Sequence, residues 1–276
     1  MKKILAIISM LLPIITIGQT QDNIGVPISE ISIENLDLIS FDNKDQIFAS
    51  NTSGDIYQYT TVGKQLNLFS PMRQGRLQQL EAAWTVNIFS FSADLQQYRI
   101  LDRFMNQLSE QGFSPTEINL AKAATLGNNN MIWVWDESDL SLKTLDYLRN
   151  IVTQAQPLNL ILNSENLEVL EIREFKNRLF MNVANEGVFI FDNQGNFISK
   201  IKIVTDQRMC FYKEHLLWIQ NNQVMAFSIS TKAILTIAQI PPRDYRYMQV
   251  GQETLALIEK DKINIYPLPN WIKSLR

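Results

Sequence analysis

Cysteine and histidine each occur once in the 276 residues, as Cys210 and His215. A zinc site built on those types needs three or four such ligands, so this composition argues against one. No disulfide can close within the chain. Glycine totals only 10, and no Gly-rich loop of the phosphate-cradling kind is present. The Gly-x-Ser-x-Gly elbow of Ser-His-Asp hydrolases is missing too. Cationic excess is lacking: 25 Lys and Arg face 28 Asp and Glu, for a formal charge of −3, so no nucleic-acid partner is expected. After the first eighteen residues no apolar run approaches the ~20 residues that span a bilayer, so no transmembrane segment is expected in the mature chain. No cofactor and no bound metal are expected.

What is present is apolar: 46% of the chain is hydrophobic and 10% aromatic, enough to bury a sizeable core. Met1-Lys2-Lys3, the apolar stretch Ile4 to Ile17 and the small Gly18 have the layout of a secretory signal peptide cut after residue 18. No cysteine follows the cut, so a lipoprotein signal is not expected. The mature domain is then 19–276, in the periplasm or outside the cell. Cys210 lies within Met209-Cys210-Phe211 and is expected to be a buried, inert thiol.

A short apolar strand, a polar turn and a second short strand recur six times. The first strands open at Ile47, Ile88, Ile132, Leu179, Leu217 and Leu255, with steps of 41, 44, 47, 38 and 38 residues. The second strands are anchored at Ile56, Tyr98, Leu142, Val188, Val224 and Ile263, with steps of 42, 44, 46, 36 and 39. The segments are rich in β-branched and aromatic residues and are parted by Asn, Asp, Ser and Gly. An upstream strand is expected near Leu36, Leu80, Ala121, Leu170, Phe211 and Met248. Outer strands are expected at Gln65 to Phe69, Asn196 to Ile201 and Ile234 to Ile240. Four strands per step of this length is the arithmetic of a propeller blade. The predicted fold is all-β, a six-bladed β-propeller. The last unit lacks an outer strand before Pro267-Leu268-Pro269, so the N-terminal segment Val26 to Ile33 is predicted to supply it and close the ring.

The stretch from Asn177 to Phe197, with Val183-Ala184-Asn185 and Phe191-Asp192 before a Gly195 turn, resembles a repeat of the NHL type. Asn185 stands where that repeat carries Asp. The resemblance implies the broad class of six-bladed propellers and a binding or scaffolding surface, without naming an activity.

Several departures from the even step carry expectations. Asp102 to Gly112, with Phe104 and Leu108, suggests a short helix ended by glycine. Residues 153–168 suggest a long loop. His215 is expected in a solvated turn, and Asp136-Glu137-Ser138-Asp139 as a solvated acidic turn rather than a calcium site. Trp133, Trp135 and Trp218 are expected to pack between blades; Trp84 and Trp271 are the better candidates for exposure. No repeated acid on the innermost strands stands out.

Turns between second and third strands share a face with the connections between blades. That face gathers the candidate binding residues Arg73, Arg76, Asp136, Glu137, Asp139, Arg208, Arg243, Asp244 and Tyr245; the opposite face is expected to be more positive. No catalytic residue is nominated. The leading expectation is a non-enzymatic protein-binding scaffold with a partner in the bacterial cell envelope. The alternatives are a propeller hydrolase of the lactonase or glycosidase class, and a glycan or small-ligand binder.

Overall fold

A computed structural model describes residues 24–82, 87–113, 116–162 and 167–275. After β1 (Ser29–Ser32) comes blade one: β2 (Leu36–Phe41), β3 (Ile47–Asn51), β4 (Ile56–Tyr59) and β5 (Gln65–Phe69). Blade two is β6 (Gln79–Glu81), β7 (Ile88–Ser92), β8 (Gln97–Leu101) and β9 (Gln107–Gly112). Blade three is β10 (Ala121–Leu126), β11 (Met131–Asp136), β12 (Ser141–Asp146) and β13 (Ile151–Pro157), followed by the short α1 (Asn159–Leu162). Blade four is β14 (Val169–Phe175), β15 (Arg178–Val183), β16 (Gly187–Asp192) and β17 (Phe197–Ile201). Blade five is β18 (Cys210–Tyr212), β19 (His215–Gln220), β20 (Gln223–Ser228) and β21 (Ile234–Gln239). Blade six is β22 (Tyr247–Val250), β23 (Thr254–Ile258) and β24 (Lys262–Pro267), and the one-turn α2 (Asn270–Lys273) follows.

Each of the six sheets is a four-stranded antiparallel meander, and the sixth takes β1 as its outer strand. Ser29 pairs with Ile265 and Ile31 with Ile263, so the two ends of the chain share one blade. The closure is the one the missing outer strand predicts, although the strand begins only at Ser29 and Val26 stays exposed. The protein is therefore a six-bladed β-propeller.

The periodicity has a packing cause. Second and third strands are sandwiched between neighbouring blades and must be apolar on both faces; β7 and β23 are buried at every position. Outer strands meet solvent, and β13 alternates exposed and half-buried residues. The core accordingly divides into clusters between adjacent blades, such as Phe89, Phe91 and Tyr98 against Ile132 and Val134. Cys210 is fully buried, and burial pushes its thiol up to about 12, in keeping with an inert side chain. Turn chemistry sets the blade edges. Gly187 has φ of 105°, and a Cβ there would lie 2.4 Å from the Ile201 carbonyl oxygen, so that turn admits only glycine.

Four local expectations are corrected. Residues 102–112 form no helix: Asp102 Oδ1 accepts from the amides of Phe104 (2.8 Å) and Asn106 (2.9 Å), closing a turn that leads into β9. Phe104 and Leu108 are both exposed, so no apolar helix face exists. The long connection at 153–168 is in its first half the outer strand β13, followed by α1. His215 is buried at the start of β19, because Lys213 turns in the left-handed region (φ 49°) and shortens the hairpin. Burial lowers its pKa. Trp271 is buried with Ile272 and Leu275 over the seam of blades five and six, where Lys213 Nζ donates to the Lys273 (2.8 Å) and Leu275 (2.7 Å) carbonyls. Trp133, Trp135 and Trp218 are buried as expected. The predicted signal peptide and Trp84 lie outside the described residues.

Candidate functional site

The connections between blades lift three arginines to the mouth of the central channel. Arg76 precedes β6, Arg208 precedes β18 and Arg246 precedes β22. Arg76 and Arg246 flank Asp37, which sits at a bulge of β2 and is nearly fully buried, and Arg208 lines the same cavity. Arg76 grips Asp37 through two bonds, Nε to Oδ2 at 2.7 Å and Nη2 to Oδ1 at 2.9 Å, the forked geometry that suits guanidinium and carboxylate. These contacts raise the Arg76 pKa further. Arg246 lies 3.7 Å from the same carboxylate and donates to the Leu36 carbonyl at 2.7 Å. Tyr247 donates to the Asp37 carbonyl at 3.0 Å. The funnel mouth encloses about 320 Å³, with Asp206 and Gln78 on its wall.

Arg208 shows how far the site reaches. It donates to the Gln78 carbonyl at 2.8 Å and to Gln79 Oε1, and lies 3.5 Å from Glu171. Blades two and five face each other across a six-membered ring, so this side chain spans the axis. Beneath it the channel is filled by buried polar groups of the innermost strands. Glu81 accepts from Gln79 (2.6 Å) and Thr125 (2.7 Å), and Glu171 accepts from the Met209 amide (2.8 Å). Burial pushes the Glu81 carboxyl up, against the pull of nearby Arg173. The innermost strands of blades one, two and four thus carry acids, at positions that differ from blade to blade and that the sequence does not single out. Asp37 was hidden as a single charge between Leu36 and Leu38, and Glu171 as one of several charges in Val169–Phe175, with nothing in the sequence to show which of them faces the axis. Among the described residues no cluster of His, Cys, Asp and Glu is placed to hold a metal ion.

The other candidate residues lie on the same face but apart from the funnel. Asp136 is fully buried, not solvated: it accepts from the amides of Asn119 (2.9 Å) and Leu120 (3.1 Å) and from Lys143 Nζ (2.8 Å). Lys143 also meets Asp139 at 2.7 Å, so an ammonium already stands between the two carboxylates. Burial would raise the Asp136 pKa, but the bonds from Lys143, Ser138 and the two amides outweigh it and bring it to about 2. Glu137 pairs at the surface with Lys122 (3.4 Å) and Arg243 with Glu259 (3.3 Å). Asp244 is exposed, and Tyr245 packs against the seam of blades five and six, its hydroxyl pushed up to about 12 by burial. Arg73 is exposed, and its carbonyl accepts from Arg99 at 2.8 Å. The funnel therefore unites Arg76 and Arg208 with Asp37 and Arg246, which were not singled out from the sequence.

No protein-family model matches the sequence, and no curated protein sequence does. Solved structures do resemble it. The WD40 domain of Pan2 from Neurospora crassa superposes with a TM-score of 0.61 at 10% identity, over 85% of this chain and 78% of that one. The computationally designed Ika8 protein gives 0.49 at 12% identity, over 84% and 71%. BamB from Moraxella catarrhalis gives 0.42 at 10% identity, over 83% and 70%. At such identity the likeness to the Pan2 domain is one of fold.

Proposed function

We propose that the protein is an exported, non-enzymatic propeller that serves as a protein-binding scaffold in the bacterial cell envelope, and that it holds an acidic group of its partner at the funnel mouth. The observation that carries this reading is the convergence of Arg76, Arg208 and Arg246 on one open cavity. Guanidinium groups fork onto carboxylates and are enriched at the energetic centres of protein interfaces. The side chains of Arg76 and Arg246 are 58% and 40% exposed, so each has donors left for a second carboxylate. The rigid ring fixes these donors in advance, which lowers the ordering cost of binding. Export rests on the basic, apolar and small-residue layout of residues 1–18.

The test is cross-linking and affinity capture from the native cells, with the wild-type chain and the double variant Arg76→Gln, Arg246→Gln. The expected outcome is an envelope protein captured by the wild type and reduced at least about tenfold in the variant. Equal capture by both chains removes the funnel from the reading. Amino-terminal sequencing of the cell-derived chain is expected to begin at Gln19; a chain beginning at Met1 overturns export.

A further inference from the structure

On the opposite face, between blades three and four, lies a cleft of about 460 Å³. Its floor is Trp133 with Glu174, and Met131 and Thr144 form part of the wall. Around them stand five amides: Asn128 and Asn129 from the β10–β11 turn, Gln154 from β13, Asn177 from the β14–β15 turn and Asn193 from the β16–β17 turn. We propose that this cleft is a binding site for a neutral, hydroxyl-rich carbohydrate. The inference is independent of the funnel and goes beyond the scaffold reading.

The lining decides the ligand class. No lysine or arginine contributes to it, and its single charge is the Glu174 carboxylate. A phosphate or carboxylate ligand would meet no cation and one repelling anion. A purely apolar ligand would strip water from the amides and leave them unpaired. An amide offers a donor and an acceptor side by side, and a sugar hydroxyl also donates and accepts. Ring hydroxyls on adjacent carbons therefore match this lining. Half-buried Met131 supplies the apolar surface for the C–H face of a sugar ring, and Trp133, 4% exposed, adds little to it.

The carboxylate is held in place before any ligand arrives. Glu174 Oε2 accepts from Trp133 Nε1 at 3.0 Å, and Oε1 accepts from Asn128 Nδ2 at 2.9 Å. Asn128 Nδ2 also donates to Asn177 Oδ1 at 2.7 Å, joining the two blades across the cleft. Each carboxylate oxygen keeps a further lone pair for a hydroxyl donor. The backbone is pared away around these groups. A Cβ at Gly127 would stand 2.5 Å from Glu174 Oε2 and 3.1 Å from Trp133 Cδ1. Left-handed backbone explains asparagine at 129 (φ 57°) and 177 (φ 59°). It does not explain Asn128, Gln154 or Asn193; Asn128 bonds Glu174 and Asn177, and Gln154 Nε2 donates to the Gln194 carbonyl, which leaves the side-chain oxygens of these two as acceptors beside the amide of Asn193. The volume is within the range of small-molecule sites.

The test uses the purified chain, an array of neutral glycans, and calorimetric titration with cellobiose, maltose and N,N′-diacetylchitobiose. At least one neutral glycan is expected to saturate the protein with a Kd on the order of micromolar to millimolar. Glu174→Gln, which keeps an acceptor for Trp133, is expected to weaken binding about tenfold, and so is the double rim variant Gln154→Ala, Asn193→Ala. Asn193 is exposed, and Gln154 gives up one bond to the Gln194 carbonyl at the cleft edge, so that variant is expected to fold with a melting temperature near that of wild type and tests the site even if Glu174→Gln unfolds. The proposal is overturned if no neutral glycan saturates at about 50 mM, if the rim variant binds as well as wild type, or if only charged glycans bind.

Discussion

The two faces of the ring solve opposite problems. The funnel concentrates charge: three guanidiniums and Asp37 lie at its mouth, and Glu171 sits beneath Arg208. The cleft holds one carboxylate among amides. Their construction differs as well. The funnel draws residues from innermost strands and connections of blades far apart in the chain, so its groups tie opposite sides of the ring together. The cleft is made by adjacent blades, and its bonds are local to one seam. A charged site built across the axis is also a structural rivet, whereas a site at a seam ties only two neighbouring blades and can be altered at less cost to the whole.

The largest expected effect tests that contrast. Asp37→Ala removes the forked Arg76 bonds and leaves neighbouring cations unbalanced, and it is expected to cost about 2–3 kcal/mol of stability. In a chain of this size that lowers Tm by roughly 5–10 °C. Glu174→Ala is expected to cost about 1 kcal/mol. Denaturant titration of both variants measures the difference; equal losses break the distinction between rivet and seam.

A pair of carboxylates sharpens it further. Asp136, on the funnel face, has its pKa lowered from 3.8 to about 2. Its contribution is fully present above its ordinary pKa and is lost as pH falls toward 2; it amounts to about 2 kcal/mol at neutral pH. Glu174, on the cleft face, is raised by burial, partly offset by its bonds from Trp133 and Asn128. Its contribution is greatest below the usual glutamate value and falls as pH rises through the shifted one. Stability curves against pH for Asp136→Asn and Glu174→Gln are expected to lose slope in those separate windows, with opposite signs. A single common window contradicts the assignment.

The blades were legible in the sequence because two-faced burial forces apolar runs at a fixed step, and Ile47, Ile88 and Ile132 declare it. Closure was legible because an outer strand was missing after Tyr266. The local misreadings share a cause: side chains near a strand end answer to turns and tertiary packing. Asp102 closes a turn where Phe104 and Leu108 suggest a helix. Trp271 is covered by a seam that its own segment does not reveal. The funnel was only half legible, since Arg76 and Arg208 lie in connections that invite attention, while Asp37 lies between Leu36 and Leu38. In the cleft the asparagines passed for ordinary turn residues, and nothing in Asn128-Asn129 announces that Glu174 and Asn177 stand opposite.

The smallest expected effect separates the two sites by salt. Attraction between a guanidinium and a partner carboxylate at the half-exposed funnel mouth is screened as the Debye length shrinks from about 10 Å at 0.1 M toward 3 Å at 1 M. The partner captured at the funnel is therefore expected to bind several-fold more weakly at roughly 0.5 M than at 0.1 M salt, mainly through slower association. Sugar hydroxyls carry no net charge, so glycan affinity at the cleft is expected to change less than about twofold over the same range. Both are read by titration on one preparation. A cleft as salt-sensitive as the funnel means that its ligand is charged, and a funnel as indifferent as the cleft means that shape, not the guanidinium cluster, holds the partner.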